Sequence, residues 1–492
     1  MAIRSGRLAP LAVASLLAVQ AGGSLPAYAA GARASGSPAC RYDVAVGPLP
    51  DLVLDVAVDC GALPVERLVA VDGALPRYLA GISDATGQKL AREDDAWLLP
   101  KTGPRVARYR VELGAMGARE HDYTSAYALG GSVLAELSTW VLLPQPLPEG
   151  AVLRLAPSPA AGVGFATALE QVDGALEMPA SALRYAGYSV FGRFRETRMS
   201  RAAPGALAPQ AEAARRGATA DVRLVTLDGP LELPAAETDA WVADTASAVE
   251  KFWQGFPVDR LLLVLMPQPA RSNVPYGRVI GGGGASLMVL MGEKVAQPTL
   301  YRDWVLIHEM VHLGSPFVRR SPWMTEGFAT YFEPIIRYRA GRRTAESLWA
   351  EFAQDMPRGL DAIEREGLAY TRRGIYWGGA IFMLLADMEM RERSGGKRGL
   401  EDCLRTILHG GGDATQLVSA DWMIDACDRA SGGDTMRRLA QRHAFSRHPV
   451  DLEDIWRRLG VIRSGDGQVR LDEGAPLAWL RRAIADGKIG AS

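Results

Sequence analysis

Residues 301–331 read YRDWVLIHEMVHLGSPFVRRSPWMTEGFATY, with His308, Glu309 and His312 in the pattern H-E-x-x-H and Glu326 following in W-M-T-E-G. On a helix, side chains four apart share a face, so both imidazoles reach one common point. This is the spacing with which a helix offers two nitrogen ligands to one zinc ion (Zn2+). Glu309, about 100° round the same helix, then stands beside the ion as a general base. A third ligand must come from elsewhere, and Glu326 is the nearest candidate. Ser321 and Pro322 mark the N-cap and first position of a new helix, which puts Glu326 in its second turn. The remainder of the chain reads as support for this stretch.

The first of these helices is expected over 299–313 with Gly314 as its stop, and Pro334 is expected to kink or end the second. Upstream, Val222–Leu227 reads as a strand and Glu237–Trp253 as an amphipathic helix. Arg260–Met266 is a continuous apolar run typical of a buried strand. Arg278–Leu290 reads as a strand interrupted by Gly281, Gly282, Gly283 and Gly284, where the backbone bulges or something approaches it closely. Downstream, helices are expected near 343–355, 374–393, 399–408, 421–430, 433–443 and 451–459, a bundle that buttresses the site. From Cys40 to about Ser200 the pattern is β, with candidate strands Tyr42–Val46, Leu52–Val58, Val106–Leu113, Ser138–Leu143 and Ala151–Leu155. The fold class is therefore α+β. A β-sandwich-like domain spans 40–200, a catalytic domain 220–412 and a helical region 413–492, with an Ala-, Pro- and Arg-rich linker over 200–219.

A chain of 492 residues suffices for two or three domains, and with a net charge of -1 nothing suggests the strongly basic face of a nucleic-acid binder. Arg4 and Arg7, the short apolar run from Leu8 to Ala21 and the small-x-small Ala27-Tyr28-Ala29 read as a signal peptide over 1–29. A membrane anchor is the competing reading, but the run is short for a span. No later stretch reaches that length, so the mature chain is expected to be exported, periplasmic or secreted, without a membrane span. Of the three pairings that four cysteines permit, the local one is favoured: Cys40 with Cys60 and Cys403 with Cys427. In an oxidising compartment each bridge contributes about 3 kcal/mol. No C-x-x-C competes for a metal.

H-E-x-x-H followed by W-x-x-E-G-x-x-x-Y resembles the gluzincin zinc peptidases. The run IYWGGAIFMLLADMEMRERSGGKRGLEDCLRTIL is similar to one in the glycyl aminopeptidase family, and DRASGGDTMRRLAQRHAFSRHPVDLEDIWRRLGV resembles the end of that family's helical domain. The resemblance spans roughly 100–463 and is densest over 301–400. It implies a thermolysin-like zinc peptidase core between the β-sandwich-like domain and the C-terminal helical bundle. It implies zinc ligands His308, His312 and Glu326, Glu309 as base, and Tyr376 as a donor to the tetrahedral oxyanion. It also puts Gly281–Gly284 at the family's substrate-binding edge strand, where a peptide substrate adds by backbone hydrogen bonds. The related aminopeptidase N family carries a glutamate there that holds the substrate's free amine, whereas this chain has GGGGASLM. About thirty residues follow Val461, too few for the PDZ module that many glycyl family members carry. The implied activity is an exported zinc metallopeptidase of aminopeptidase type. The alternatives are a zinc endopeptidase, favoured by the missing acid, and a non-catalytic peptide-binding protein on a peptidase scaffold.

Overall fold

The computed structural model describes residues 38–202, 219–465 and 467–487. The expected signal segment and most of the 200–219 linker lie outside the described residues.

The N-terminal part is built on a seven-stranded sheet with two four-stranded sheets beside it. Alternation does what the sequence pattern implies: in Ala39–Val46, Tyr42, Val44 and Val46 point into the core while their neighbours are exposed. Every pairing in the large sheet is antiparallel except that of Ala39–Val46 with Val152–Pro159, which is parallel. The strand expected over 138–143 does not form. Leu137–Thr139 is a 3₁₀ turn, and a short strand begins only at Leu143. The Trp140 and Val141 N–H groups both turn back to the Leu137 carbonyl, at 3.3 and 3.0 Å, so local turn bonds take the place of a ladder there. The Tyr42 hydroxyl holds its backbone by donating to the Leu142 carbonyl at 2.6 Å.

The second sheet has five strands in the order Phe194–Ala202, Thr219–Leu227, Arg260–Gln268, Ala285–Gly292, Tyr276–Ile280. The middle three are parallel and both edge strands run antiparallel to them. Phe194–Ala202 falls within the interval expected for the β domain but belongs to this sheet. The expected strand over 278–290 is two strands, folded back on each other at the glycines. Leu261–Met266 is buried throughout, as a strand covered on both faces must be. Helices Ala235–Trp253 and Val305–His312 cover one face. The other face packs through Val264, Met266 and Met288 against Leu134, Tyr188 and Val190 of a small N-terminal sheet, which joins the two halves.

Helices Pro322–Arg339 and Ile375–Ser394 form the centre of the helical part. Pro334 does not end its helix, which continues to Arg339; the turn around it is buried, so tertiary packing overrides the lost hydrogen bond. The bundle also contains a small hairpin, Val461–Arg463 with Val469–Leu471, that the helical pattern did not suggest. Both expected disulfides are present, Cys40–Cys60 and Cys403–Cys427. Among the described residues no helix is long and apolar enough to cross a membrane.

Candidate metal centre

The motif helix is shorter than its periodicity suggests. A turn of helix over Gln297–Arg302 ends at Asp303, and the helix proper is Val305–His312. The Asp303 side chain accepts from the Val305 N–H at 2.8 Å and so restarts the helix. Gly314 lies beyond the helix end. A Cβ there would lie 2.1 Å from the Trp253 ring, so its glycine answers a close approach.

His308 and His312 are both buried. Their Nε2 atoms lie 3.3 and 3.5 Å from the same Glu326 Oε2. The three ligand atoms all fall within 4.8 Å of one another. Ser321 occupies the N-cap position of Pro322–Arg339 but makes no side-chain cap; what holds Glu326 in place is the packing of that helix. Burial alone would raise the Glu326 carboxyl, but the charges and hydrogen bonds of His312 and His308 outweigh it and hold it at about 2. Among the described residues this carboxylate has no Lys or Arg partner. Two imidazoles and an ionised carboxylate converging in a buried place fit a divalent cation by donor type and spacing.

Glu309 projects from the same helix against the edge strand Tyr276–Ile280. A Cβ on Gly277 would lie 2.5 Å from Glu309 Cγ, so that glycine makes room for the acid. Burial raises the Glu309 carboxyl, while His312, His308 and Arg278 pull it down. Tyr376 enters at the first turn of Ile375–Ser394, behind Gly374 at φ 65°. Its ring centroid is 6.2 Å from that of His308. Burial, with Glu326 and Glu309 facing it, holds the phenol well above its usual range, so the proton stays on Oη.

The distance between the helix of Glu326 and the helix of Tyr376 is set by two glycines. A Cβ on Gly327 would lie 2.7 Å from Gly379 Cα, and one on Gly379 would lie 2.1 Å from the Trp323 carbonyl oxygen. Only residues without side chains permit this crossing. Tyr331, on the Glu326 helix, donates to Asp387 at 2.8 Å, and Asp387 in turn binds Arg391 at 3.0 Å and the Leu400 N–H at 2.7 Å. This buried network fixes the two helices in register.

The structure thus brings together His308, His312, Glu326, Glu309 and Tyr376. It does not bring Gly281–Gly284 among them. Cβ atoms on Gly281, Gly282 and Gly284 would strike the carbonyl oxygens of Ala414, Tyr185 and Ala168. The Gly282 N–H donates to the Tyr185 carbonyl and its carbonyl accepts from the Gly187 N–H, each at 3.0 Å. Gly282, Gly283 and Gly284 form a seam with the N-terminal domain, Gly281 meets Ala414 of the helical part, and the Gly282 backbone is already engaged on both sides. The edge strand beside Glu309 is the segment just before them, Tyr276–Ile280.

Two neighbours of the site were not singled out from sequence. Trp304, 49% exposed, stands edge-on to His308 with ring centroids 5.3 Å apart. Arg278, on the edge strand, is ion-paired at 2.6 Å with Glu136 of the N-terminal domain. An aromatic next to the motif helix was a readable signal; a pair 142 residues apart was not.

No family model matches the sequence, and no curated protein is similar to it at sequence level. Among solved structures, the chain is similar to an aminopeptidase N family protein from Idiomarina loihiensis. The TM-score is 0.64 at 14% identity, over 86% of this chain and 78% of that one. It also matches an M1 zinc metallopeptidase from Deinococcus radiodurans at a TM-score of 0.47 and 15% identity, over 82% of this chain and 91% of that one. The first likeness shows a shared fold: a β domain, an α+β core and a helical C-terminal region.

Proposed function

We propose that the protein is an exported, zinc-dependent metallopeptidase. The observation that carries this reading is the convergence of three ligand atoms within 4.8 Å, with an acid on the same helix turned to the free sheet edge. His308, His312 and Glu326 would hold a zinc ion, which would supply a Lewis acid that lowers the pKa of a water and polarises a carbonyl. Glu309 takes a proton from the attacking water on its carboxylate and delivers it to the leaving amide nitrogen. Tyr376 Oη donates to the oxygen on which negative charge grows. The outer edge of Tyr276–Ile280 makes no further backbone hydrogen bond among the described residues, so an extended peptide can add to it. Export is supported by the signal-like sequence over 1–29 and by the two disulfides.

The resemblance in sequence favours an aminopeptidase. One observation favours a second reading, cleavage of peptides whose amine is not the recognised group. The strand carries no acid, and the acid beside it, Glu136, is already paired with Arg278.

The test is hydrolysis of a mixed peptide library by the purified full chain. Loss of cleavage in Glu309→Gln, with zinc still bound, is expected; cleavage surviving that substitution or zinc removal refutes the proposal. Free and N-acetylated versions of the same peptides separate the two readings.

A further inference from the structure

One half-buried cation on the edge strand has no part in the proposed hydrolysis. In Tyr276–Ile280, Val279 belongs to the core under the motif helix, while Tyr276 and Ile280 face the N-terminal sheet. Arg278 shares their parity. Its Nη1 donates to Glu136 Oε1 at 2.6 Å and to Tyr188 Oη at 3.0 Å. Among the described residues its Nε and Nη2 make no hydrogen bond, and the side chain keeps 24% of its surface exposed. Its neighbour Gly277 abuts Glu309, and its charge reaches both Glu309 and Tyr276. Burial raises the Glu136 carboxyl while the Arg278 guanidinium lowers it.

We propose that Arg278 is a specificity-determining residue: its free Nε and Nη2 receive a carboxylate of the substrate, so the cleft prefers peptides with a carboxylate close to the scissile bond. A guanidinium fork fixed at one end and open at the other suits an anion, in a partly desolvated place where the interaction is strong. A substrate ammonium at the same place meets a like charge. The carboxylate can be the C-terminus of a short peptide or an Asp or Glu side chain; the chemistry is shared and the test separates the two.

This inference rests on the peptidase reading, but its readout is binding. The zinc-loaded full chain carrying Glu309→Gln is titrated calorimetrically with four N-acetylated peptides: Ala-Ala-Ala as acid and as amide, and Ala-Glu-Ala-amide against Ala-Gln-Ala-amide. At least one carboxylate peptide is expected to bind about tenfold or more tightly than its neutral partner. Preference for the free acid assigns the C-terminus; preference for the Glu peptide assigns a side chain. Arg278→Met with Glu136→Gln, which leaves no unpaired acid behind, is expected to abolish the difference while neutral peptides still bind. Arg278→Lys, which keeps the charge paired with Glu136 but loses the fork, is expected to retain only part of it and serves if the double variant does not fold. Equal binding of acid and neutral peptides by the parent overturns the inference, as does a preference that survives in either variant at full size. Failure of the peptidase reading shows separately, as absence of hydrolysis by the chain with Glu309 intact.

Discussion

Consider Gly379→Ala, a single methyl added inside the helix Ile375–Ser394. On helix propensity alone the change is favourable by about 1 kcal/mol. The structure reverses the sign. The new Cβ would lie 2.1 Å from the Trp323 carbonyl oxygen and 2.7 Å from Gly327 Cα, where ordinary contact begins at 3.4 Å. Relief along the shorter line requires 3.4 − 2.1 = 1.3 Å of movement. Both obstacles are backbone, so no rotamer change absorbs it and the two helices must separate. Overpacking of this kind costs about 1–3 kcal/mol, and rigid obstacles put it at the upper end, for a net loss of about 2 kcal/mol. The functional cost is larger, because the same shift separates Tyr376 from Glu326; a misplacement of about 1 Å costs on the order of a hundredfold in rate. The assay pairs urea denaturation of the zinc-loaded chain with steady-state cleavage of a quenched peptide. Gly73→Ala is the control, since a Cβ there meets nothing within 4 Å. A Gly379→Ala protein that denatures with its parent and keeps kcat within about twofold refutes the idea that this crossing sets the site's dimensions.

Other outcomes follow from the same geometry. Glu326→Ala removes one of three ligands and is expected to leave the purified chain with markedly less bound zinc by elemental analysis; an unchanged zinc content would mean that the ion sits elsewhere. A chelator is expected to lower the thermal midpoint, because the native chain binds the ion and the unfolded chain does so poorly; readdition of zinc should restore it. Burial holds the Asp303 carboxyl at about 7, against the backbone N–H groups that it caps and the charge of Arg337. Since its folded value lies above its ordinary 3.8, its contribution to stability is fully present below 3.8 and is lost as pH rises through 7. Asp303→Asn keeps the acceptor for Val305 and should raise the urea midpoint relative to the parent at pH 9, with the difference shrinking toward pH 4; parallel pH profiles would exclude this.

What the sequence revealed and what it hid divide along physical lines. The H-E-x-x-H spacing is a property of one helix, so His308, Glu309 and His312 could be read without knowing what surrounds them. Glu326 could be read because its own helix start is close in sequence. The long apolar strand Arg260–Gln268 and the amphipathic Ala235–Trp253 were legible for the same local reason. Pairings between distant segments were not. Nothing in RVIGGGG tells that Arg278 finds Glu136, or that the glycines are narrow because Tyr185, Ala168 and Ala414 press on them. The run Ser138–Leu143 has the composition of a strand, but the Trp140 and Val141 N–H groups close a turn on the Leu137 carbonyl, which composition does not announce. Like Trp304, the break at Asp303 was readable locally, since an aspartate before an apolar helix is a ready cap.

The glycine seam has a consequence for how the protein can be divided. Tyr276–Ile280 runs directly into backbone hydrogen bonds with Tyr185 and Gly187, and the sheet's opposite edge strand, Phe194–Ala202, comes from before the linker. The half from Thr219 onward, produced alone, would lack an edge strand, expose the face formed by Val264, Met266 and Met288, and lose the anchor at the end of Tyr276–Ile280. The motif helix is local in sequence, but the site built around it is not a transplantable module. Its minimum heritable unit includes the β domain.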